Sequence, residues 1–262
     1  VEGQETIFQP AFVGQNRMHW FTTGGGSPSY IDCGSASALN FTTSDYSLSF
    51  WALINSDSGT GGTGNTYLLS RGTYNVEGWY CDYNTVTNKF TFYTNSSGDP
   101  DFISTSAITE DVWHHFVGTK SGTTATWYVD GSQDTTGTTA NPATSTQPFR
   151  IFSRTGTDSN VWGSINELAI FDEALSLAEV QEMYNDGIAY DALTHSKASD
   201  LVGYWRNNQL TSSGAWENKV LTSNVITINE GAEYNDSDTT LTVNDGALVG
   251  ADDILVIEDE QL

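Results

Sequence analysis

Positive charge is scarce in this sequence. Nine Lys and Arg residues stand against 33 Asp and Glu residues, so the formal net charge is −24 and the pI is near 4.1. A protein with this charge repels phosphate backbones and anionic lipid headgroups, and we therefore expect neither nucleic acid nor a membrane as a partner. The charge favours solubility in salt or the uptake of cations, but it does not identify a fold.

Thiols and long apolar segments are also scarce. The two cysteines, Cys33 and Cys81, lie outside any C-x-x-C spacing, so a single disulfide and two buried free thiols are both open, with the free thiols favoured. No apolar run approaches the roughly 18–20 residues that cross a bilayer. The chain begins at Val1 without a signal-peptide pattern, and we expect a processed or trimmed product whose N-terminus does not reveal its location.

Aromatic residues, in contrast, make up 12% of the chain and recur in short alternating runs. In "YSLSFWALI", Tyr46, Leu48 and Phe50 share one parity, and Ser47 and Ser49 share the other. Similar runs separated by polar turns follow: "TYLLSRG", "GWYCDYN", "KFTFYTN", "WHHFVGT", "TATWYVDG", "FRIFSR" and "GSINELAIFD". Regular short strands between turns are typical of an antiparallel β-sandwich, and we predict an all-β fold.

One segment predicts a helix, and a change in composition predicts a domain boundary. In "SLAEVQEMYNDG", Ser176 and Glu179 have capping-box spacing, and Gly187 stands where a C-terminal cap is expected. The last forty residues again have a β pattern, without Lys or Arg after Lys219. We therefore predict an N-terminal arm over residues 1–19, a main domain over 20–210 and a small β module over 211–262.

The adjacent His114 and His115 raise the question of a metal site. In a strand, successive side chains point to opposite faces, so these two imidazoles cannot bind one ion from a regular strand. A site would need partners from other strands, which the sequence does not identify. We interpret both histidines as part of the wall of the domain.

Four segments resemble the laminin-G-like, concanavalin A-like jelly-roll family, in the order typical of that family. They are "YIDCGSASALNFTTSDYSLSFWALI", "DVWHHFVGTK" with "TATWYVDGS", "GSINELAIFDEALSLAEVQEMYNDG" and "DLVGYWRNNQL". The resemblance covers residues 20–210 and implies an antiparallel β-sandwich jelly roll with one short helix. It also implies that Trp51, Trp113 and Trp127 pack the sandwich and that Asp130-Gly131 makes a tight hairpin.

The resemblance implies calcium at one rim of the jelly roll. The corresponding loops supply four oxygen donors, the ligand type that Ca²⁺ prefers: Asp57, Asn65, Asp158 and Asn160. Gly64 stands where pentraxin-type relatives have an acidic residue, which removes one carboxylate from the set. A polar turn in which Asp158 caps its own backbone is an equally open interpretation.

A glycan site at the same rim needs exposed aromatic rings beside polar donors. Tyr74, Trp79 and Trp162 are the candidates for contact with glycan, and the alternative for each is a core aromatic.

The family also includes enzymes, but the residues argue against catalysis. The acids of "NELAIFDE" are Glu167, Asp172 and Glu173. Asp172 has the opposite strand parity from Glu167, and Glu173 lies six residues from Glu167, about 20 Å along a strand, whereas the carboxylates of glycosidases lie about 5–9.5 Å apart. The sequence has no G-x-S-x-G, no H-E-x-x-H and no Gly-rich phosphate loop. A polysaccharide lyase is similarly disfavoured, because nine basic residues are too few to line a groove for a polyanion.

The C-terminal segment "DTTLTVNDGALVGADDILVIEDEQL" resembles a short β module of phage tail and capsid-surface proteins. An open β edge there invites pairing with another chain, so we expect other protein subunits to bind the N-terminal arm and the C-terminal module. The first functional hypothesis is a non-catalytic structural or adhesion protein on a virion or extracellular assembly, which recognises a surface or a cell-surface glycan. The alternatives are a calcium-assisted carbohydrate-binding module of a secreted protein and, less favoured, a glycoside hydrolase or polysaccharide lyase.

Overall fold

The structure is a computed structural model. It describes residues 30–56, 65–73, 76–93, 102–154, 163–210 and 216–218. Within these residues lie thirteen strands and one α-helix: β1 Ile31–Asp32, β2 Tyr46–Ile54, β3 Asn65–Thr73, β4 Glu77–Asn84, β5 Lys89–Tyr93, β6 Phe102–Ser104, β7 Trp113–Ser121, β8 Thr124–Val129, β9 Ser132–Thr138, β10 Phe149–Ile151, β11 Gly163–Phe171, α1 Leu177–Tyr184, β12 Leu201–Leu210 and β13 Trp216–Asn218.

The strands form two antiparallel sheets. One sheet has six strands in the order β1-β10-β3-β4-β5-β6, and the other has seven in the order β13-β12-β11-β2-β7-β8-β9. Side chains from the facing surfaces of both sheets form one core, in which the ring of Phe50 lies 5.9 Å from that of Phe90 and 5.5 Å from that of Phe116. The predicted all-β antiparallel sandwich is confirmed.

The face of the seven-stranded sheet that points away from this core is covered by the helix. Val180 and Met183 of α1 pack against Phe171 and Tyr204, and all four side chains are buried. Because both faces of the sheet are covered, all nine residues of β2 are buried, the serines included. The hydroxyl of Ser47 donates to the Glu173 carbonyl and accepts from the Leu175 amide, which satisfies its polar atom on the helix side.

The predicted cap of the helix is confirmed at one end and corrected at the other. The side chain of Ser176 accepts from the Glu179 amide, and the Glu179 carboxylate accepts from the Ser176 amide, which completes a capping box. The helix ends at Tyr184, because Asn185 adopts left-handed backbone angles (φ 47°) two residues before the expected Gly187.

The three tryptophans expected to pack the sandwich are all buried, on two different faces of the seven-stranded sheet. Trp127 lies in the core between the sheets, as predicted. Trp51 and Trp113 are also buried, but they pack with Leu53 and Ala189 on the helix side of the seven-stranded sheet. Their strand parity turns them toward the helix layer, so all three tryptophans have the predicted structural role, and of the three only Trp127 lies between the sheets.

Asp130 and Gly131 form the predicted tight turn. Both have left-handed angles, with φ of 49° and 72°, and they connect β8 to β9 through the pair Val129↔Ser132. β9 itself was not predicted from the sequence, because "SQDTTGT" consists of polar residues and glycine at the exposed edge of its sheet.

Cys33 and Cys81 are free thiols, as the favoured prediction had it, but Cys81 is buried whereas Cys33 is only partly buried. Cys33 directly follows β1 and donates its amide to the Phe149 carbonyl of β10, whereas Cys81 lies on β4. β10 and β3 separate β1 from β4, so three strand spacings, about 14 Å, lie between the two residues. A disulfide requires Cα atoms within about 7 Å, and this pair is too far apart.

The chain divides into two units, Val1–Val220 and Leu221–Leu262, and all described residues belong to the first. β13 pairs with β12 in the register Trp205↔Asn218, although residues 216–218 fall within the predicted C-terminal module. The predicted arm over residues 1–19 lies outside the described residues, and the boundary near residue 211 stays a prediction. In the described part of the chain, none of the helices has both the length and the apolar character that a membrane crossing requires.

Candidate functional site

His114 and His115 face opposite sides of β7. The buried His115 contacts Ser49, with 2.9 Å between Nε2 and Oγ, and packs against Trp51 on the helix side. Burial lowers the pKa of His115 to about 3, so its ring stays neutral. The Nδ1 atom of His114 lies 2.7 Å from Asp130 Oδ2. The histidines are therefore wall residues, and among the described residues no group of three or more His, Cys, Asp or Glu side chains forms a metal site.

The predicted calcium ligands cannot be assembled from the described residues. Asp57, Asp158 and Asn160 lie outside them, and Asn65 is the first residue of β3, where its backbone pairs with Asn84. The calcium site stays a prediction.

The predicted glycan contacts Tyr74 and Trp162 also lie outside the described residues. Trp79 is described, and its predicted role is wrong. It is 1% exposed, belongs to the core between the sheets and donates its indole N–H to the Leu39 carbonyl over 3.0 Å. Its parity on β4 points it inward, so it presents no surface to a ligand.

The neighbours of Trp79 on β4 point the other way. Trp79, Cys81 and Tyr83 face the core, and so Tyr80 and Asp82 lie on the face of the six-stranded sheet that points away from it. Two cross-strand rows follow from the register: Arg150, Ser70, Tyr80 and Tyr93 form one, and Tyr67, Asp82, Thr91 and Ser104 form the other.

Three tyrosines cluster on this face. The rings of Tyr80 and Tyr93 stack with centroids 4.1 Å apart, and Tyr67 meets Tyr80 edge-on at 5.6 Å. Tyr80 is 3% exposed, whereas Tyr67 and Tyr93 are partly exposed. Tyr67, Tyr80, Tyr93 and Asp82 are named the tyrosine face below.

Asp82 is the buried acid of the tyrosine face. It is 2% exposed, and its Oδ1 atom accepts no hydrogen bond from any residue that the structure describes. Burial raises the pKa of Asp82 to about 7, and a hydrogen bond from the Thr91 hydroxyl opposes this rise. A buried carboxylate with an unsatisfied oxygen costs stability, and strongly perturbed ionisable groups cluster at functional sites.

Two arginines adjoin the tyrosine face. The guanidinium of Arg154 lies over the Tyr67 ring, 4.4 Å from its centroid, and donates to the Tyr67 hydroxyl over 2.7 Å. Arg150 donates to the Arg154 carbonyl over 2.8 Å, and its Nε lies 3.7 Å from an Asp32 oxygen across the strand pair.

The acids considered for catalysis do not converge. Glu167 is buried on β11, where its φ of 48° and a shift in register mark a bulge, and its carboxylate accepts from the Tyr204 hydroxyl. Glu173 pairs with Lys197 over 2.8 Å, and the exposed Asp172 donates its amide to the Asp200 carbonyl. Each acid therefore has a structural environment of its own.

Sequence reasoning missed the tyrosine face, although its signal was present. "GWYCDYN" carries aromatic residues on both parities, Trp79 and Tyr83 on one and Tyr80 on the other. "KFTFYTN" repeats the pattern with Phe90 and Tyr93. Aromatic residues on both parities of a strand place rings on both of its faces, and the ring outside the core was the signal of the tyrosine face.

Comparison with known proteins shows the family and the fold. A family model described as the Concanavalin A-like lectin/glucanases superfamily matches residues 23–181, more than half of the chain. The binding domain of Paraclostridial Mosquitocidal Protein 1 is similar, with a TM-score of 0.50 and 15% identity over 67% of this chain and 47% of that chain. The receptor binding domain of botulinum neurotoxin type G has a TM-score of 0.46 and 18% identity over 54% of this chain and 38% of that chain.

The chain thus spans less than half of the length of these two solved structures. At 15% identity, the binding domain of the mosquitocidal protein shows a shared fold only. No curated protein matches the sequence.

Proposed function

The chain belongs to the Concanavalin A-like lectin/glucanases superfamily, and from this premise we propose that it is a non-catalytic recognition domain that binds glycan through the tyrosine face. The observation that supports this proposal is the buried Asp82, with its unsatisfied oxygen, beside the partly exposed rings of Tyr67 and Tyr93. Aromatic rings stack on the C–H face of a sugar, and a carboxylate accepts hydrogen bonds from its hydroxyl groups.

The same face supports binding over hydrolysis. Asp82 lies between Tyr67 and Thr91 in its cross-strand row, neither of which is an acid. Among the described residues of this face, the other carboxylate is that of Asp32 on β1, three strand spacings or about 14 Å away. Hydrolysis of a glycosidic bond requires two carboxyl groups about 5–9.5 Å apart.

The setting that we propose is extracellular or on the surface of an assembly such as a phage virion. This part of the proposal is supported by the sequence of residues 238–262, which resembles virion β modules. Other subunits would bind the C-terminal module and the N-terminal arm. Light scattering of the native protein tests it: a large particle that persists in a calcium chelator supports the assembly, and a monomer contradicts it.

Calcium at the rim is the second proposal, with Asp57, Asn65, Asp158 and Asn160 as the residues that would hold it. The chelator tests it separately, through the thermal unfolding midpoint. A calcium-dependent rise of several degrees supports the site, and an unchanged midpoint at millimolar calcium contradicts it.

A glycan array with the full chain tests the proposed function, with Tyr93→Ala as the variant and Tyr190→Ala as the matched control. Tyr190 is also partly buried, but it lies in the helix layer, where its hydroxyl contacts Glu182. We expect binding by the wild-type chain and by Tyr190→Ala, and a loss for Tyr93→Ala of about threefold to tenfold, the value of one aromatic contact. Absence of binding to every glycan would contradict the proposal.

A further inference from the structure

The few cations of this acidic chain are unevenly placed. The structure describes the side chains of six Lys and Arg residues, and three of them, Lys89, Arg150 and Arg154, lie on or beside the outward face of the six-stranded sheet. In a chain of net charge −24, the described residues of this face have three cations against the carboxylates of Asp32 and Asp82, so their summed charge is opposite in sign to that of the whole molecule.

The other three described cations serve the fold. Arg71 and Lys120 are buried, and they donate to backbone carbonyls such as those of Ser145 and Gly122. Lys197 lies in the helix layer, paired with Glu173 at 2.8 Å. Arg150 and Arg154 also have partners within the fold, the Arg154 carbonyl and the Tyr67 hydroxyl. They differ from the other three in lying beside the tyrosine face, the proposed glycan site.

Two buried polar atoms on this face are unsatisfied by the described residues, and they are of opposite type. Arg150 Nε is a donor without a hydrogen bond, although an Asp32 oxygen lies 3.7 Å from it, and Asp82 Oδ1 is an acceptor without a hydrogen bond. β3 separates the strands of these two residues, so their strands lie about 10 Å apart, and the two residues also belong to different cross-strand rows. A ligand that satisfies both needs an acceptor at one end and a hydroxyl donor at the other, with an apolar face between them for the tyrosine rings.

An acidic saccharide has this combination of groups. We propose that the tyrosine face selects a glycan that carries a carboxylate or sulfate group, with Arg150 and Arg154 binding the anion and Asp82 accepting a hydrogen bond from a sugar hydroxyl. A guanidinium suits this role, because its planar N–H groups bind carboxylate and sulfate oxygens in pairs. The contact of Arg154 with the Tyr67 ring holds that plane beside the stacking surface. This inference depends on the proposed glycan-binding function.

The test compares acidic glycans with their uncharged counterparts on one array. The probes are uronic-acid, sialylated and sulfated oligosaccharides, each printed beside its carboxyl-reduced or desulfated form, and the protein is the full chain. We expect at least tenfold weaker binding after the anion is removed. Carboxyl reduction and desulfation are separate arms, and so the arm that abolishes binding identifies the anion.

Variants connect the anion to the arginines. Arg150→Gln and Arg154→Gln should each weaken binding of the acidic glycan about tenfold, and each should weaken binding of its neutral counterpart less. Arg154 contacts Tyr67, so Arg150→Gln is the cleaner test of the anion. Arg150→Lys should recover part of the loss, since it keeps the charge without the paired donors. Lys197→Gln, which removes a cation from the helix layer, should have no effect, and thermal unfolding checks that each variant is folded.

The outcomes separate this inference from the function on which it depends. Binding of neutral glycans that requires Tyr93, with no gain from an anion, would overturn the acidic selectivity and keep the glycan site. Binding to none of the glycans would overturn both. Acidic binding that persists in both arginine variants would place the anion elsewhere and refute this assignment.

Discussion

Tyr80 and Tyr93 stack across neighbouring strands with centroids 4.1 Å apart and an angle of 19° between the ring planes. They differ in exposure: Tyr80 is buried, and Tyr93 is partly exposed. The inner ring therefore supports the outer one, and it fixes the plane that a ligand would meet.

This difference predicts different consequences for the two residues. Tyr80→Ala should lower the free energy of unfolding by about 3–5 kcal/mol, the usual cost of removing a buried aromatic ring. Tyr93→Ala should cost less stability and more binding, because its ring is the partly exposed one. Urea unfolding and glycan binding measured on both variants check this; equal stability losses would show that the two rings share one structural role.

Asp82 should make stability rise as the pH falls. Its folded pKa is about 7 and its unfolded pKa about 3.8, so between these values the folded state holds a proton that the unfolded state has lost. The free energy of unfolding should then increase by about 1.4 kcal/mol for each pH unit from 7 down to 4, relative to Asp82→Asn. Urea unfolding from pH 4 to 8 measures the difference; parallel curves for the two proteins would exclude the raised pKa.

His115 should act in the opposite direction. Burial keeps its folded pKa near 3 against 6.5 when unfolded, so between these values only the unfolded state takes up a proton. Stability attributable to His115 is present above pH 6.5 and is lost at about 1.4 kcal/mol per unit as the pH falls to 3. His115→Gln should therefore show a smaller loss in acid than the wild type, and the reverse order of the two curves would be evidence of a protonated His115 in the fold.

Gly131 should tolerate no side chain. Its φ is 72°, and a Cβ atom there would lie 2.7 Å from Cδ1 of Tyr184 at the end of the helix. Gly131→Ala should destabilise the protein by about 2–4 kcal/mol, from backbone strain and the clash together.

Gly122→Ala is the matched control. Gly122 has a similar φ of 55° in the turn between β7 and β8, but a Cβ there would meet nothing within 4 Å. It should cost about 1–2 kcal/mol from strain alone. Equal costs measured by thermal unfolding would show that the hairpin does not press on the helix.

The sequence by itself determined the local structure. Alternation of apolar and polar residues predicted the strands of both sheets, with β6 Phe102–Ser104, β9 and β13 as exceptions that are short or polar. Capping-box spacing predicted the start of the helix, and Asp130-Gly131 predicted the hairpin turn between β8 and β9. Both signals depend on residues within four positions of each other in the sequence. Adjacent side chains in a strand point to opposite faces, and this rule alone excluded a metal ion bound by both His114 and His115.

Only the tertiary structure decided which side of each strand meets which neighbour. Trp51 and Tyr46 are equally buried on opposite faces of β2, one toward the helix layer and one between the sheets. On β4, Trp79 and Tyr80 are also both buried, and the register with β3 and β5 is what places Tyr80 and Asp82 beside Tyr67 and Tyr93. Parity separates the two faces of a strand but does not say what covers each of them, because that depends on strands and helices distant in sequence.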